Sequence, residues 1–370
     1  MNLLIPEYIK NIVPYPPGKP LDELERQYGV TNAIKLASNE NPWGPSPRAV
    51  AAIAEALVNL HRYPDGSSYV LTQALAKHLG CSPDMLVLGN GSNEVIEFLV
   101  KACVEPGGEV ITSHPSFLMY QKFVQIRAGI NKVIPLHDMR HDVDAIIAAI
   151  TDRTRLIFLD NPNNPTGTLF GRETLQRLCN ALPESAVVVL DEAYVDFVDP
   201  DQQLNSIKLI QEQKDGPPLV SLRTFSKAYG LAGLRLGFGI MHAGLADMLH
   251  RVRQPFNINS LAQIGALAAL EDSEHYQRTT SGTRTGMSYL QEAVSRLGCS
   301  CHPSQANFFL IDVGGDANQL YEAMLYKGVI VRSMHAYGYP SCIRITVGTE
   351  EENQRFVAAL SACLRELGYG

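Results

Sequence analysis

The stretch Thr224–Arg235 reads TFSKAYGLAGLR, and its lysine decides how the rest of the chain is read. Lys227 follows two hydroxyl residues, Thr224 and Ser226, and precedes Arg235 by eight positions. A lysine amine forms a Schiff base with a carbonyl cofactor, of which pyridoxal phosphate is the commonest. Hydroxyls just before such a lysine, and an arginine just after it, suit the cofactor's phosphate. Gly230 and Gly233 let backbone approach closely or take a positive φ. A lysine by itself is ordinarily a solvated surface charge. So flanked, and with the partners described next, Lys227 reads as a pyridoxal phosphate lysine.

Outward from this stretch, residues 68–241 alternate helices with short strands rich in Val, Ile and Leu. Strands are expected at 85–88, 109–112, 132–135, 155–160, 186–190, 219–222 and 236–241, and helices at 68–79, 92–104, 116–127, 142–150 and 171–181. Such runs predict an α/β fold whose large domain has a mainly parallel sheet covered by helices. Ligands bind these sheets outside the carboxyl ends of the strands, and the polar motifs fall there.

GNGSNE (89–94) places Gly91, Ser92 and Asn93 at a turn and helix start, where backbone amides and the positive helix end favour an anion. Tyr120, in HPSFLMY, reads either as a core aromatic or as one stacked on a flat cofactor ring. NPNNPTG (161–167) constrains Asn164 between Pro162 and Pro165, a pose suited to donating a hydrogen bond to a phenolic oxygen. LDEAY (190–194) puts Asp191 and Tyr194 at a strand's mouth. A buried carboxylate beside a protonated pyridine nitrogen makes the cofactor an electron sink. Opposite charges about 4 Å apart attract by about 4 kcal/mol at an effective dielectric of roughly 20, enough to keep that ring protonated. Alone, Asp191 would pass for a helix cap or loop carboxylate; in order with Asn164, Lys227 and Arg235 it reads as the ring's partner.

Three regions are expected: an N-terminal arm and first helix (1–60), a large cofactor-binding domain (61–270) and a smaller C-terminal α+β domain (271–370). Pro14, Pro16, Pro17 and Pro20 predict an extended arm ahead of a first helix at 46–60. The arm's Tyr15 and Trp43 need a surface to pack on, whether their own domain, a substrate site beneath a lid, or a second subunit. In the C-terminal region helices are expected at 274–297, 317–327 and 350–367, with strands at 306–311, 329–332 and 342–347. Arg344 lies inside an apolar strand and calls for an anion. A carboxylate matches its planar fork best, an internal Asp or Glu being the alternative. Arg332 is the second notable cation.

The 370 residues are 45% hydrophobic with a formal net charge of −7, which argues for a large core and against nucleic acid or an anionic membrane as main partner. No apolar run reaches the roughly 18 residues of a membrane span, and no signal peptide opens the chain, so a cytoplasmic location is expected. Seven scattered cysteines suit reduced thiols. Cys299, Cys301 and His302 lack a second pair at zinc spacing, so no metal is expected. A nicotinamide fingerprint is also missing: no strand runs into Gly-x-Gly-x-x-Gly.

The motifs YPPGKP (15–20), KLASNENPWGPSP (35–47), RYPDGSS (62–68), GNGSNE, NPNNPTG, LDEAY, RTFSKAYGLAGLR, RQPFNINSLAQ (253–263), SQANFFLIDV (304–313) and IRITVGT (343–349) follow one another in order. In this, over nearly its whole length, the chain resembles the fold-type-I pyridoxal-phosphate-dependent aminotransferases, and within them the histidinol-phosphate aminotransferases. The resemblance implies that Lys227 carries the cofactor and moves protons, Asp191 pairs with the pyridine nitrogen, Asn164 and Tyr194 hold the phenolic oxygen, and Tyr120 stacks on the ring. It gives the phosphate to the amides of Gly91, Ser92 and Asn93 and to Thr224, Ser226 and Arg235, helped by Tyr63 of a second subunit in a homodimer. Arg344 would bind the substrate's carboxylate or equivalent end, and Arg332 with Tyr15 and Asn39 the rest. Asn93 stands where the family usually has aspartate, which matters little if the backbone amide does the binding. The implied reaction is ping-pong transamination of L-histidinol phosphate with 2-oxoglutarate, in histidine biosynthesis. An aromatic amino acid aminotransferase or a phosphothreonine decarboxylase would share almost every cofactor residue. Regulators on this fold carry an added DNA-binding domain, for which this chain is expected to have no room.

Overall fold

The computed structural model describes residues 4–14, 21–213 and 218–369. Strand β1 (Ile34–Lys35) opens the sheet structure, followed by seven strands of one sheet: β2 (Leu86–Asn90), β3 (Glu109–His114), β4 (Ile130–Pro135), β5 (Thr154–Asp160), β6 (Val187–Asp191), β7 (Leu219–Thr224) and β8 (Leu236–Ile240). Their order is β2-β8-β7-β6-β5-β3-β4. β7, β6, β5, β3 and β4 pair in parallel, and β8 runs antiparallel to both β7 and β2. Alternate residues of each central strand enter two different cores. Leu156, Phe158, Val187 and Val189 pack on one face, and Ile157, Leu159, Val188 and Leu190 on the other. Burial on both faces is why these strands read as unbroken apolar runs.

A second sheet follows, with strands β9 (Ser300–Cys301), β10 (Phe308–Asp312), β11 (Val329–Ile330), β12 (Arg332–Ser333) and β13 (Cys342–Thr346). Of these, β12-β13-β10-β9 form an antiparallel sheet, whereas β11 pairs in parallel with β1. The strand expected over 329–332 is therefore two strands, because the chain changes partner at Val331. The helices Ser273–Arg296, Ala317–Tyr326 and Glu350–Leu367 supply the core beneath, and Ile34 and Leu36 from the N-terminal segment join it.

The stretch expected to be extended on account of Pro16, Pro17 and Pro20 lies outside the described residues, while the N-terminal segment on either side of it has helices at Glu7–Lys10 and Leu21–Tyr28. The prolines end at Pro20, and the eight residues after it contain none, so a helix that buries Leu24 against Ala37, Leu325 and Ile330 can form. Trp43 packs on this same chain: a Cβ on Gly282, in the helix Ser273–Arg296, would lie 2.5 Å from the indole. The helix expected over 46–60 runs from Pro47 to Ala56 with Ser46 as its cap, then tightens into a 3₁₀ turn. A further helix, Ser206–Glu212, lies between β6 and β7, where none was expected. No described helix is long and apolar enough to cross a membrane.

Candidate active site

The carboxyl ends of β5, β6 and β7 bring Asp160, Asp191 and Thr224 to one edge of the large sheet, Asp160 and Asp191 being direct neighbours in register. The turn after β2, the loop after β7 and residues 38–40 close a cleft of about 290 Å³ over that edge.

Lys227 sits on the loop after β7 and points its amine into the cleft. Its Nζ donates to the carbonyls of Ser38 (3.3 Å) and Asn39 (3.0 Å) and lies 5.6 Å from the centroid of the Tyr194 ring. Burial, followed by the nearby Arg344 guanidinium, pulls its pKa down to about 8. A half-buried lysine so depressed is neutral in about a fifth of molecules near physiological pH, far more than an ordinary lysine, as suits a nucleophilic amine and proton carrier.

Asp191 is buried; its Oδ2 accepts the Tyr120 hydroxyl at 2.8 Å and its Oδ1 the Ala193 amide at 3.1 Å. Burial pushes its carboxyl up to about 7. Both bonds are neutral donors, so a cation brought to this carboxylate would supply the charge the site lacks. A protonated ring nitrogen is such a cation.

Tyr194 faces the cleft with its hydroxyl accepting from two amides, Asn39 Nδ2 at 2.9 Å and Asn164 Nδ2 at 3.3 Å. With both acceptor positions used, its own proton is left to be donated to a third oxygen. Asn164 cannot turn its amide round, because Oδ1 accepts from Arg344 Nη1 at 2.5 Å and a guanidinium only donates. Two proton donors thus converge where an anionic oxygen would lie.

Gly91 caps the helix Ser92–Cys103 with no side-chain cap, so the amides of Ser92 and Asn93 open on the cleft beside the helix's positive end. Gly91 has φ +77°, and a Cβ there would stand 2.7 Å from Arg235 Nη2. A Cβ on Gly237 of β8 would likewise meet the Ser92 amide at 2.1 Å. The absence of side chains at these positions lets amides, Thr224, Ser226 and the guanidinium approach one small volume. Asn93 Oδ1 is buried with no hydrogen-bond partner among the described residues. An anion seats well here, and the whole cleft fits a phosphate-bearing aromatic aldehyde.

The sequence profile described as "Aminotransferase class I and II" matches residues 31–360. The chain belongs to this family. Relatives include the histidinol-phosphate aminotransferase of Desulfotalea psychrophila, 62% identical over 369 residues and covering 100% of this chain and 97% of that protein. That of Moorella thermoacetica is 43% identical, covering 97% of this chain and 92% of its own. Among solved structures, the histidinol-phosphate aminotransferase of Sinorhizobium meliloti, in complex with pyridoxal-5'-phosphate, superposes with a TM-score of 0.89 at 29% identity, over 98% of both chains. The L-threonine-O-3-phosphate decarboxylase of Porphyromonas gingivalis gives 0.78 at 25% identity, over 90% of this chain and 99% of that one.

In this aminotransferase the cleft brings together Gly91, Ser92, Asn93, Tyr120, Asn164, Asp191, Tyr194, Thr224, Ser226, Lys227 and Arg235. Tyr120 differs in its part. It is fully buried, lies flat on Phe158 (4.7 Å between centroids, 7° between planes) and spends its hydroxyl on Asp191, so it has no exposed face for a ring to stack on. The half-buried aromatic that lines the cleft is Phe117, edge-on to Tyr120 at 5.4 Å. Sequence reasoning passed over Phe117, although it stands in the same HPSFLMY motif one turn earlier. It also passed over Ser38, Glu40 and Asp160, which line the cleft.

A smaller adjoining cavity of about 210 Å³ shares Ser38, Asn164, Tyr194 and Lys227 with the first and adds Asn39, Arg332, Tyr337 and Arg344. β12 and β13 place Arg332 and Arg344 opposite one another. Arg344 donates to Asn164 Oδ1 and to the Ala37 carbonyl (2.8 Å), and its guanidinium lies 5.0 Å over Phe308. Tyr63 is 85% exposed, stacks on Phe256 at 5.1 Å and lines neither cavity of its own chain. Tyr15 falls outside the described residues. Among the described residues no cluster of His, Cys, Asp or Glu suits a metal ion.

Proposed function

We propose that this aminotransferase moves the amino group of L-histidinol phosphate to 2-oxoglutarate, giving imidazole acetol phosphate and L-glutamate in histidine biosynthesis. The observation that carries the reading is full-length identity of 62% with an enzyme of that name, joined to a cleft in which a buried lysine amine faces paired arginines. Its cofactor is pyridoxal 5'-phosphate, which when bound supplies an aldehyde for an amine and an electron-withdrawing ring.

The chain's own groups divide the remaining work. Asp191 carries the negative charge that keeps a proton on the ring nitrogen, and Tyr120 orients that carboxylate. Tyr194 and Asn164 donate to the phenolic oxygen. The amides of Gly91, Ser92 and Asn93, with Thr224, Ser226 and Arg235, bind the phosphate. Phe117 covers the ring face in place of Tyr120. Lys227 Nζ would hold the cofactor and, once released, would take the proton from the substrate carbon and carry it across the intervening nitrogen to the cofactor's aldehyde-derived carbon, its depressed pKa suiting it to both taking and giving the proton. Arg344 and Arg332 hold the anionic end of either substrate, the phosphate of histidinol phosphate or the distal carboxylate of glutamate, with Asn39 beside them.

The enzyme acts as a cytoplasmic homodimer. Val58, Leu60, Tyr63, Tyr69 and Val70 are all at least 59% exposed and call for a second apolar surface. Tyr63 then reaches the phosphate of the neighbouring site.

Turnover with 2-oxoglutarate is compared for L-histidinol phosphate, L-phenylalanine, L-tyrosine and L-threonine O-3-phosphate. The reading requires kcat/KM to be highest for L-histidinol phosphate. A ratio to L-phenylalanine below one moves the assignment to an aromatic aminotransferase. Carbon dioxide released from the threonine phosphate ester moves it to the decarboxylase class.

A further inference from the structure

Asp160 ends β5 beside Asp191, lines the cofactor cleft and is 3% exposed, yet no step above uses it. A carboxylate this deep is costly unless donors surround it. Here the donors are specific. Oδ2 accepts the backbone amide of Asn164 at 2.8 Å, and Oδ1 accepts Asn163 Nδ2 at 3.2 Å. Behind it lies His141, whose Nε2 is 3.0 Å from the Asp160 carbonyl and 3.6 Å from Oδ1, while Nδ1 is 2.7 Å from Ser113 Oγ. Burial pulls His141 down to about 4, so the ring is neutral, donating from Nε2 and accepting the Ser113 hydroxyl at Nδ1.

We propose that Asp160 is a positioning residue that acts through Asn164, fixing its backbone so that its carboxamide stays turned between Arg344 and Tyr194. The proposal rests on the reading that pyridoxal phosphate fills the cleft. Asn164 is held at two ends. Arg344 fixes Oδ1 at the tip, and Asp160 fixes the main-chain amide at the root. Loosening the root lets Nδ2 leave the point where it meets Tyr194 and, in the loaded enzyme, the phenolic oxygen. A substitution at Asp160 therefore reaches the cofactor through Asn164.

The sign of one measurement separates this role from others. The visible band of the loaded enzyme, followed against pH, reports the protonation of the Lys227 nitrogen. A donor on the phenolic oxygen stabilises negative charge there and weakens that nitrogen's hold on its proton. Asp160→Asn keeps the size but sets an amide against the donors, so Asn164 loosens and the midpoint moves to higher pH. Losing a negative charge with no loosening would move it to lower pH. The charged groups acting on Lys227 (Arg344, Glu40, Arg235 and Asp191) and those around Asp160 (Asp191, His141, Tyr120 and Tyr194) are common to both proteins.

The experiment titrates the band in four holoenzymes: wild type, Asp160→Asn, Asn164→Ala and the double variant. One hydrogen bond's net worth corresponds to a rise of about 0.4–1.1 pH for Asp160→Asn. The same substitution should then add little once Asn164 is alanine. A fall, no movement, or an equal rise in the Asn164→Ala background overturns the proposal. A wild type that binds cofactor without any visible band overturns the assignment of the cleft instead. If Asp160→Asn does not fold, hydrogen exchange on the wild-type holoenzyme decides. The Asn164 amide should then be as protected as the β5 ladder, and exchange at loop rates overturns the proposal.

Discussion

Arg344→Ala tests the substrate end of the site. The side chain is 9% exposed, donates to Asn164 Oδ1 and the Ala37 carbonyl, and lines the cavity that opens beside Lys227. A charge-assisted hydrogen bond to a buried anion contributes about 1.5–3 kcal/mol. At about 1.4 kcal/mol per tenfold, its loss lowers kcat/KM roughly 10- to 150-fold. The factor should be similar for L-histidinol phosphate and for L-glutamate, since both place an anion there. For L-histidinol, which has no phosphate, the loss should be several-fold smaller and come from the freed Asn164 alone. Stopped-flow half-reactions with each donor read these factors separately, without contributions from the second substrate. An equal loss with L-histidinol would refute the reasoning, because Arg344 would then act through Asn164 and not on an anion.

Other outcomes follow from the same geometry. Gly91→Ala should weaken cofactor binding roughly 5- to 150-fold by equilibrium dialysis, since a backbone conformation adopted essentially by glycine alone costs alanine about 1–3 kcal/mol and its Cβ would crowd Arg235; unchanged binding would mean the loop gives way. With Lys227 near pH 8 in the apoenzyme, the rate of cofactor capture should rise about tenfold between roughly pH 7 and 9 and then level off; an ordinary lysine would give about a hundredfold rise with no plateau. Mixing Lys227→Ala with Tyr63→Phe subunits should restore activity in heterodimers, each carrying one intact site, and heterodimers without recovered activity would show that sites are not shared. Phe117→Ala should loosen the cofactor more than Tyr120→Phe does, which should instead lower kcat through Asp191; the reverse order returns the stacking role to Tyr120.

What could be read in the residues was the part built from strong local signals. The central strands are buried on both faces, so Val187–Asp191 and Thr154–Asp160 stand out as apolar runs, and each polar residue at their ends falls at the sheet edge. What could not be read depended on long-range pairing. β1 is two residues long and meets β11 across almost three hundred positions, which no periodicity announces. Asn39 became central because it touches Tyr194, Thr346 and Lys227 at once, contacts supplied by three distant segments. Phe117 and Tyr120 stand three positions apart, one before and one inside the start of the helix Met119–Ile126, and only packing against Phe158 decides which of them is covered. Arg344 was read as needing an anion, whereas within the chain it already donates to a side-chain amide and a carbonyl supplied by two distant segments.

The central claim is that Lys227 is the group that takes up the cofactor. The purified enzyme, reconstituted with pyridoxal phosphate, is reduced with borohydride, digested, and its peptides are sequenced by mass spectrometry. The account predicts a visible band that bleaches on reduction and a single phosphopyridoxyl adduct on the Lys227 nitrogen, absent from Lys227→Ala. An adduct on another lysine, or no visible band after reconstitution, would contradict it.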